Sequence, residues 1–75
     1  MNIGIDIGST ASKVVVFDKD KQEIVHTILM PSGWNSKETS GEIYKKLTEK
    51  GFDVDNSYVV ATGYGRVSVP YADRV

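Results

Sequence analysis

The sequence predicts an α/β fold in which a three-stranded antiparallel meander is followed by one crossover helix and a fourth strand parallel to the first. Three observations carry that prediction. Strict apolar alternation opens the chain, and short polar reversals bracket the β-branched run that follows. A capped amphipathic stretch then separates these strands from a last β-rich segment.

Taken in order, Asn2 to Gly8 places Ile3, Ile5 and Ile7 on one face and Gly4, Asp6 and Gly8 on the other. That is the period of a strand with one buried face, and its glycine side invites close approach to the backbone. Gly8-Ser9-Thr10-Ala11 is a turn signal. Lys13 to Asp18 holds a β-branched run that reads as a strand buried on both faces. Lys19-Asp20-Lys21-Gln22 is a polar reversal, and Glu23 to Met30 reads as the third strand. Pro31 to Ser36 is a loop of turn residues. Asn35 or Ser36 caps a helix; with Asn35 as the cap, Glu38 falls at the third helical position, as in a capping box. Ile43, Tyr44 and Leu47 form its apolar stripe, and Gly51 is placed to stop it. Ser57 to Thr62 is the fourth strand, leading into Gly63-Tyr64-Gly65-Arg66. A strand, crossover helix and strand give a parallel connection.

With 75 residues there is room for one small domain, which buries only about 60% of its unfolded surface. The nine Lys and Arg are scattered and the formal net charge is −1, so neither nucleic acid nor an anionic membrane is an expected partner. The absence of cysteine excludes thiolate metal sites and thiol nucleophiles within this chain. No apolar run approaches the roughly 20 residues of a membrane span. The opening strand lacks the basic start and apolar core of a secretory signal, so a cytoplasmic setting is expected. Ser68 to Val75 has no closing strand or helix pattern, which suggests a chain cut from something longer.

The first hairpin carries the most chemistry. Phosphate oxygens are held well by backbone N–H groups in a tight turn of small residues. Gly8, Ser9 and Thr10 supply such a turn, with two hydroxyls as further donors. Asp6 points away from the isoleucine face toward the same end. A carboxylate beside a polyphosphate needs a cation between them, and magnesium held through water is the natural mediator. Lys13 adds a positive charge one step beyond the turn. Asp-x-Gly-Ser is equally what an ordinary hairpin looks like, and the string alone does not separate the two readings.

The segment Ile3-Gly4-Ile5-Asp6-Ile7-Gly8-Ser9-Thr10-Ala11-Ser12-Lys13 resembles the first phosphate motif of the actin-like ATPase superfamily. Val60-Ala61-Thr62-Gly63-Tyr64-Gly65-Arg66, with Pro31-Ser32-Gly33-Trp34-Asn35, narrows the resemblance to the ATPase activators of 2-hydroxyacyl-CoA dehydratases and the ATPase subunits of benzoyl-CoA reductases. The resemblance covers essentially the whole chain. It implies a partial ribonuclease-H-like domain: residues 1–75 would be the N-terminal part of an actin-like ATPase domain.

Such a protein would bind ATP or ADP with Mg2+ and drive low-potential electron transfer to a dehydratase partner. In that family a [4Fe-4S] cluster is held between two subunits by cysteines, none of which is present here. Residue by residue, the resemblance matches Asp6 to the magnesium-associated carboxylate and Gly8, Ser9 and Thr10 to the phosphate turn. Ser12 and Lys13 match the family string without a firm role. Gly63 and Gly65 match a loop facing the nucleotide cleft, where open sheets place ligands.

Other residues have plainer readings. Arg66 is a phosphate contact or a solvated loop arginine, and His26 is a strand-surface histidine. Trp34 anchors the helix entrance or belongs to a partner surface. One hairpin supplies one side of a phosphoryl-transfer site, so the chain alone is expected to carry no catalytic residue set and no hydrolysis. The alternatives are the N-terminal piece of a sugar or small-acid kinase of the same superfold, and a non-catalytic interaction module. An uncovered fourth strand and sheet face predict a homo-oligomer, by strand exchange among other routes.

Overall fold

The computed structural model describes residues 1–33, 35–63 and 69–74. Four strands, β1 (Asn2–Ile7), β2 (Ala11–Asp18), β3 (Glu23–Pro31) and β4 (Tyr58–Thr62), form one sheet in the order β3-β2-β1-β4. The β1–β2 and β2–β3 pairs are antiparallel and β1–β4 is parallel. Helix α1 (Ser36–Glu49) and a single 3-10 turn (Val54–Asn56) connect β3 to β4. This is the predicted meander, crossover helix and parallel fourth strand.

The isoleucine ladder of β1 does what its period dictates. Ile3, Ile5 and Ile7 are buried while Asn2, Gly4 and Asp6 are exposed. They join Val14, Val16, Val59 and Ala61 from the sheet, and Ile43 and Leu47 from α1, in one core. The helix is held at both ends. Asn35 Oδ1 accepts the N–H groups of Lys37 (2.8 Å) and Glu38 (3.4 Å). At the other end Gly51 N donates to the Thr48 carbonyl and Phe52 N to the Leu47 carbonyl, the paired bonds of a Schellman stop.

Two expectations are corrected. The first is that β2 is not buried on both faces: Ser12, Val14 and Val16 are buried, Lys13 is exposed, and Val15 and Phe17 are half-buried. β-Branched residues fit both sides of a pleat, but among the described residues the helical layer lies on one side of the sheet only. The second concerns the outer edge of β4, which is not bare. Asp73 N donates to the Val59 carbonyl (2.7 Å), Val59 N donates to Asp73 Oδ2 (2.7 Å) and Ala61 N donates to the Arg74 carbonyl (2.9 Å). Val60 and Arg74 make a parallel bridge. Val69 is buried in the core and the Tyr71 hydroxyl donates to the Ser40 carbonyl (2.6 Å), so this last segment is tied to both sheet and helix.

Candidate functional site

Because β1 and β4 are parallel, their C-terminal ends lie side by side, and the 8–11 loop and the Thr62-Gly63 step meet at one edge of the sheet. Parallel pairs open their ligand sites at this end. Asp6 lies on the open face near the C-terminal end of β1. Its cross-strand partners are Lys13 on β2 and Thr62 on β4, and directly opposed residues on one face are side-chain neighbours. Together with Gly4, Val15 and Val60 these three line an open concavity of about 210 Å³.

Two close approaches shape this corner. Gly63 has φ +88°, and a methyl group built on it would overlap Asp6 Oδ1 and lie 2.8 Å from the Ile7 carbonyl oxygen. The backbone at Gly63 therefore lies directly against the carboxylate, which only a residue without Cβ permits. Gly8 N donates to the Ala11 carbonyl at 3.0 Å, closing the hairpin, and a methyl group at Gly8 would lie 2.9 Å from that same oxygen. Gly8 thus gives its own N–H to the loop, and Ser9 and Thr10 are the exposed residues at the tip.

The structure brings together Asp6, Gly8, Ser9, Thr10, Lys13 and Gly63. Ser12 stands apart from the group it was placed with: its side chain is fully buried and its hydroxyl lies 2.8 Å from that of Ser32. It supports the loop from beneath. Gly65, Tyr64 and Arg66, and Trp34 at the helix entrance, lie outside the described residues. His26 is half-buried with its ring 5.5 Å from that of Phe52, a packing position. Thr62 and Ser32 were not singled out from sequence. Thr62 becomes a neighbour of Asp6 only through the parallel register, and Ser32 reads as one turn residue among several.

Among the described residues no group of three or more His, Cys, Asp or Glu side chains converges, so there is no protein cage for a metal. One exposed carboxylate beside a threonine is nevertheless a fitting donor set for magnesium, which keeps most of its waters and takes one or two carboxylates together with phosphate oxygens. A [4Fe-4S] cluster does not fit: the chain has no cysteine.

The family model described as the BadF/BadG/BcrA/BcrD ATPase family matches residues 3–75. An activator of lactoyl-CoA dehydratase from Anaerotignum propionicum is 40% identical over 96% of this chain and 28% of its own length. The (R)-2-hydroxyglutaryl-CoA dehydratase activating ATPase of Acidaminococcus fermentans is 38% identical over 89% of this chain and 26% of its own. The chain thus spans less than a third of the relatives it matches.

Among solved structures, component A of the A. fermentans (R)-2-hydroxyglutaryl-CoA dehydratase superposes with TM-score 0.75 at 36% identity, covering 97% of this chain and 29% of that one. The activator of the 2-hydroxyisocaproyl-CoA dehydratase from Clostridium difficile, solved with bound ADPNP, gives 0.74 at 36% identity, covering 97% and 27%. A Sinorhizobium meliloti protein described as a 2-dehydro-3-deoxygalactonokinase gives 0.71 at 9% identity, covering 97% and 24%, a likeness of fold alone. The architecture is that of the actin-like ATPase and sugar-kinase folds.

Proposed function

The chain belongs to the BadF/BadG/BcrA/BcrD ATPase family, and on that premise we propose that it forms the phosphate- and magnesium-binding corner of a dehydratase-activating ATPase. The observation that carries this reading is the packing of Gly63 against Asp6 beside the 8–11 loop. A carboxylate, a small-residue hairpin and a left-handed glycine converge at the end of two parallel strands, and an ADPNP-bound relative shares the architecture at 36% identity.

In this reading the loop receives phosphate oxygens, with the hydroxyls of Ser9 and Thr10 as additional donors. Lys13, the cross-strand partner of Asp6, offsets charge on the same face. Asp6, next to Thr62, would hold magnesium through water; the ion supplies neutralisation between carboxylate and phosphate. Gly63 lets the end of β4 approach the ligand.

The whole protein would be an N-terminal domain of this kind plus the rest of an activator, with a 2-hydroxyacyl-CoA dehydratase or a benzoyl-CoA reductase as its partner. Its ATP hydrolysis would drive low-potential electron transfer. The present residues contribute no cluster ligand, and no electron-transfer step is assigned to them. Alone, the chain offers a single wall of a cleft and does not hydrolyse ATP, because phosphoryl transfer needs charge stabilisation from several sides.

Titrating ADP into the 15N-labelled chain, with and without magnesium, tests the reading. Expected are shifts confined to the loop and to Gly63, saturating at about millimolar ligand, with a magnesium dependence that Asp6→Ala removes. Spectra that do not move at these concentrations would sink the nucleotide reading. Hydrolysis that tracks the chain and disappears in Asp6→Ala would instead overturn the claim of inactivity.

A further inference from the structure

Directly under the hairpin tip lies a chain of buried hydroxyls that the nucleotide reading does not use. Ser12, Ser32 and Thr39 are 0%, 5% and 5% exposed. Ser32 is the hub. Its N–H donates to the Thr10 carbonyl (3.0 Å) and its hydroxyl to the Gly8 carbonyl (2.5 Å). A serine hydroxyl has one hydrogen, so in the 2.8 Å contact between Ser12 and Ser32 the donor is Ser12. Thr39, in the first turns of α1, donates its hydroxyl to the Ser32 carbonyl and shares it with the Asn35 carbonyl (3.1 Å). No buried side-chain nitrogen or oxygen among the described residues lacks a partner.

The consequence follows from peptide geometry. The Gly8 carbonyl and the Ser9 N–H belong to one planar unit, as do the Thr10 carbonyl and the Ala11 N–H. Among the described residues there is no cis peptide bond, so within each unit the N–H points opposite to the carbonyl. Ser32 draws both carbonyls inward, and this turns the amides of Ser9 and Ala11 outward.

We propose that Ser32 is a positioning residue for the phosphate loop, aiming the Ser9 and Ala11 N–H groups at an incoming nucleotide phosphate. The proposal rests on the nucleotide reading above and deepens it. It adds Ala11 to the donors and removes Gly8, whose N–H already closes the hairpin. Through Thr39 the same hub fixes the loop to the start of α1, so loop geometry and helix position are set together.

The test compares Mg·ADP affinities, read from amide shifts, for the wild-type chain, Ser32→Ala and Ser40→Ala. Ser40 is an equally buried hydroxyl, bonded to the Lys37 carbonyl, which measures what losing such a group costs away from the loop. Ser32→Ala is expected to weaken binding about tenfold, equivalent to about 1.4 kcal/mol, and Ser40→Ala by less than about twofold. Equal losses in the two variants would reduce Ser32 to a structural residue and overturn the proposal. Within the wild type, the amides of Ser9 and Ala11 should move more than that of Gly8. This ordering decides the matter even where Ser32→Ala fails to fold, since a largest shift at Gly8 contradicts the proposed aim. Binding with the wrong order leaves the nucleotide reading standing, whereas no shift in any loop amide removes that reading and this one together.

Discussion

Gly63 bears two separate demands, a left-handed backbone and the absence of a Cβ facing Asp6. Left-handed strain in a residue with a side chain costs about 1–3 kcal/mol, and the clash adds displacement of the carboxylate. Gly63→Ala is therefore expected to lower the unfolding free energy, read from urea titration, by an amount in that range and to abolish the magnesium dependence of ADP binding. Gly4→Ala is the matched comparison, because nothing lies within 4 Å of a methyl group there; it should stay within about 0.5 kcal/mol of wild type. A Gly63→Ala chain as stable and as magnesium-responsive as Gly4→Ala would break the link between β4 and the carboxylate. At this scale the sequence was legible in part. Asp6, Ser9 and Thr10 were proposed from local pattern, while Gly63 came from family resemblance and its physical reason did not. That reason depends on the parallel register that brings the end of β4 beside Asp6, which no local window of sequence displays. Ser32 escaped for a similar cause: its partners are carbonyls across the hairpin, and in sequence it is one polar residue in a loop.

The elements themselves were the most legible level, because their signals are local. The isoleucine alternation, the Asn35 cap and the glycine after α1 each satisfy orphan backbone groups or bury one face within a few residues of chain. What failed was inference about layers. The run of valines in β2 speaks to strand propensity and says nothing about whether a second layer covers the sheet, and residues 69–74 carry no periodicity to announce that they bind β4. That last segment has its own measurable signature. Burial, and then the neighbouring Tyr44, push the Tyr71 hydroxyl well above the ordinary tyrosine value of 10, and the hydroxyl donates to the Ser40 carbonyl. The folded state thus holds this proton more tightly than the unfolded chain does. The resulting stability is complete below pH about 10 and is lost as pH rises toward the raised value. Urea midpoints should accordingly fall above pH 10, and Tyr71→Phe should flatten that decline while losing about 1 kcal/mol at neutral pH for the missing bond. Tyr44, raised chiefly by its hydrogen bond to Asp55, leaves a residual slope. An unchanged alkaline decline in Tyr71→Phe would show that the segment is not docked through this hydroxyl.

At the scale of the molecule, the described residues place the helix on one face of the sheet and leave the other open. That open face has a polar end, where Asp6, Lys13 and Thr62 meet, and an apolar end bearing Val15, Phe17, Tyr58 and Val60 around a second concavity. Leu29, the cross-strand partner of Lys13 on this face, is 73% exposed, and Tyr58 is also exposed. Burial of such surface is worth about 25 cal/mol per Å², and a small domain has little other core from which to draw stability. Because residues 73–74 already occupy the edge of β4, strand addition at that edge is the disfavoured route to self-association, and pairing through the open face is the favoured one. Sedimentation velocity on the isolated chain should therefore show a coefficient that rises with concentration. Leu29→Lys, a substitution at an exposed position, should return it to a monomer with its helix content unchanged by circular dichroism. Mg·ADP should compete with association, since the polar end of the same face would be shared. A sedimentation coefficient independent of concentration, or one that Leu29→Lys leaves rising, would place the contact elsewhere or remove it.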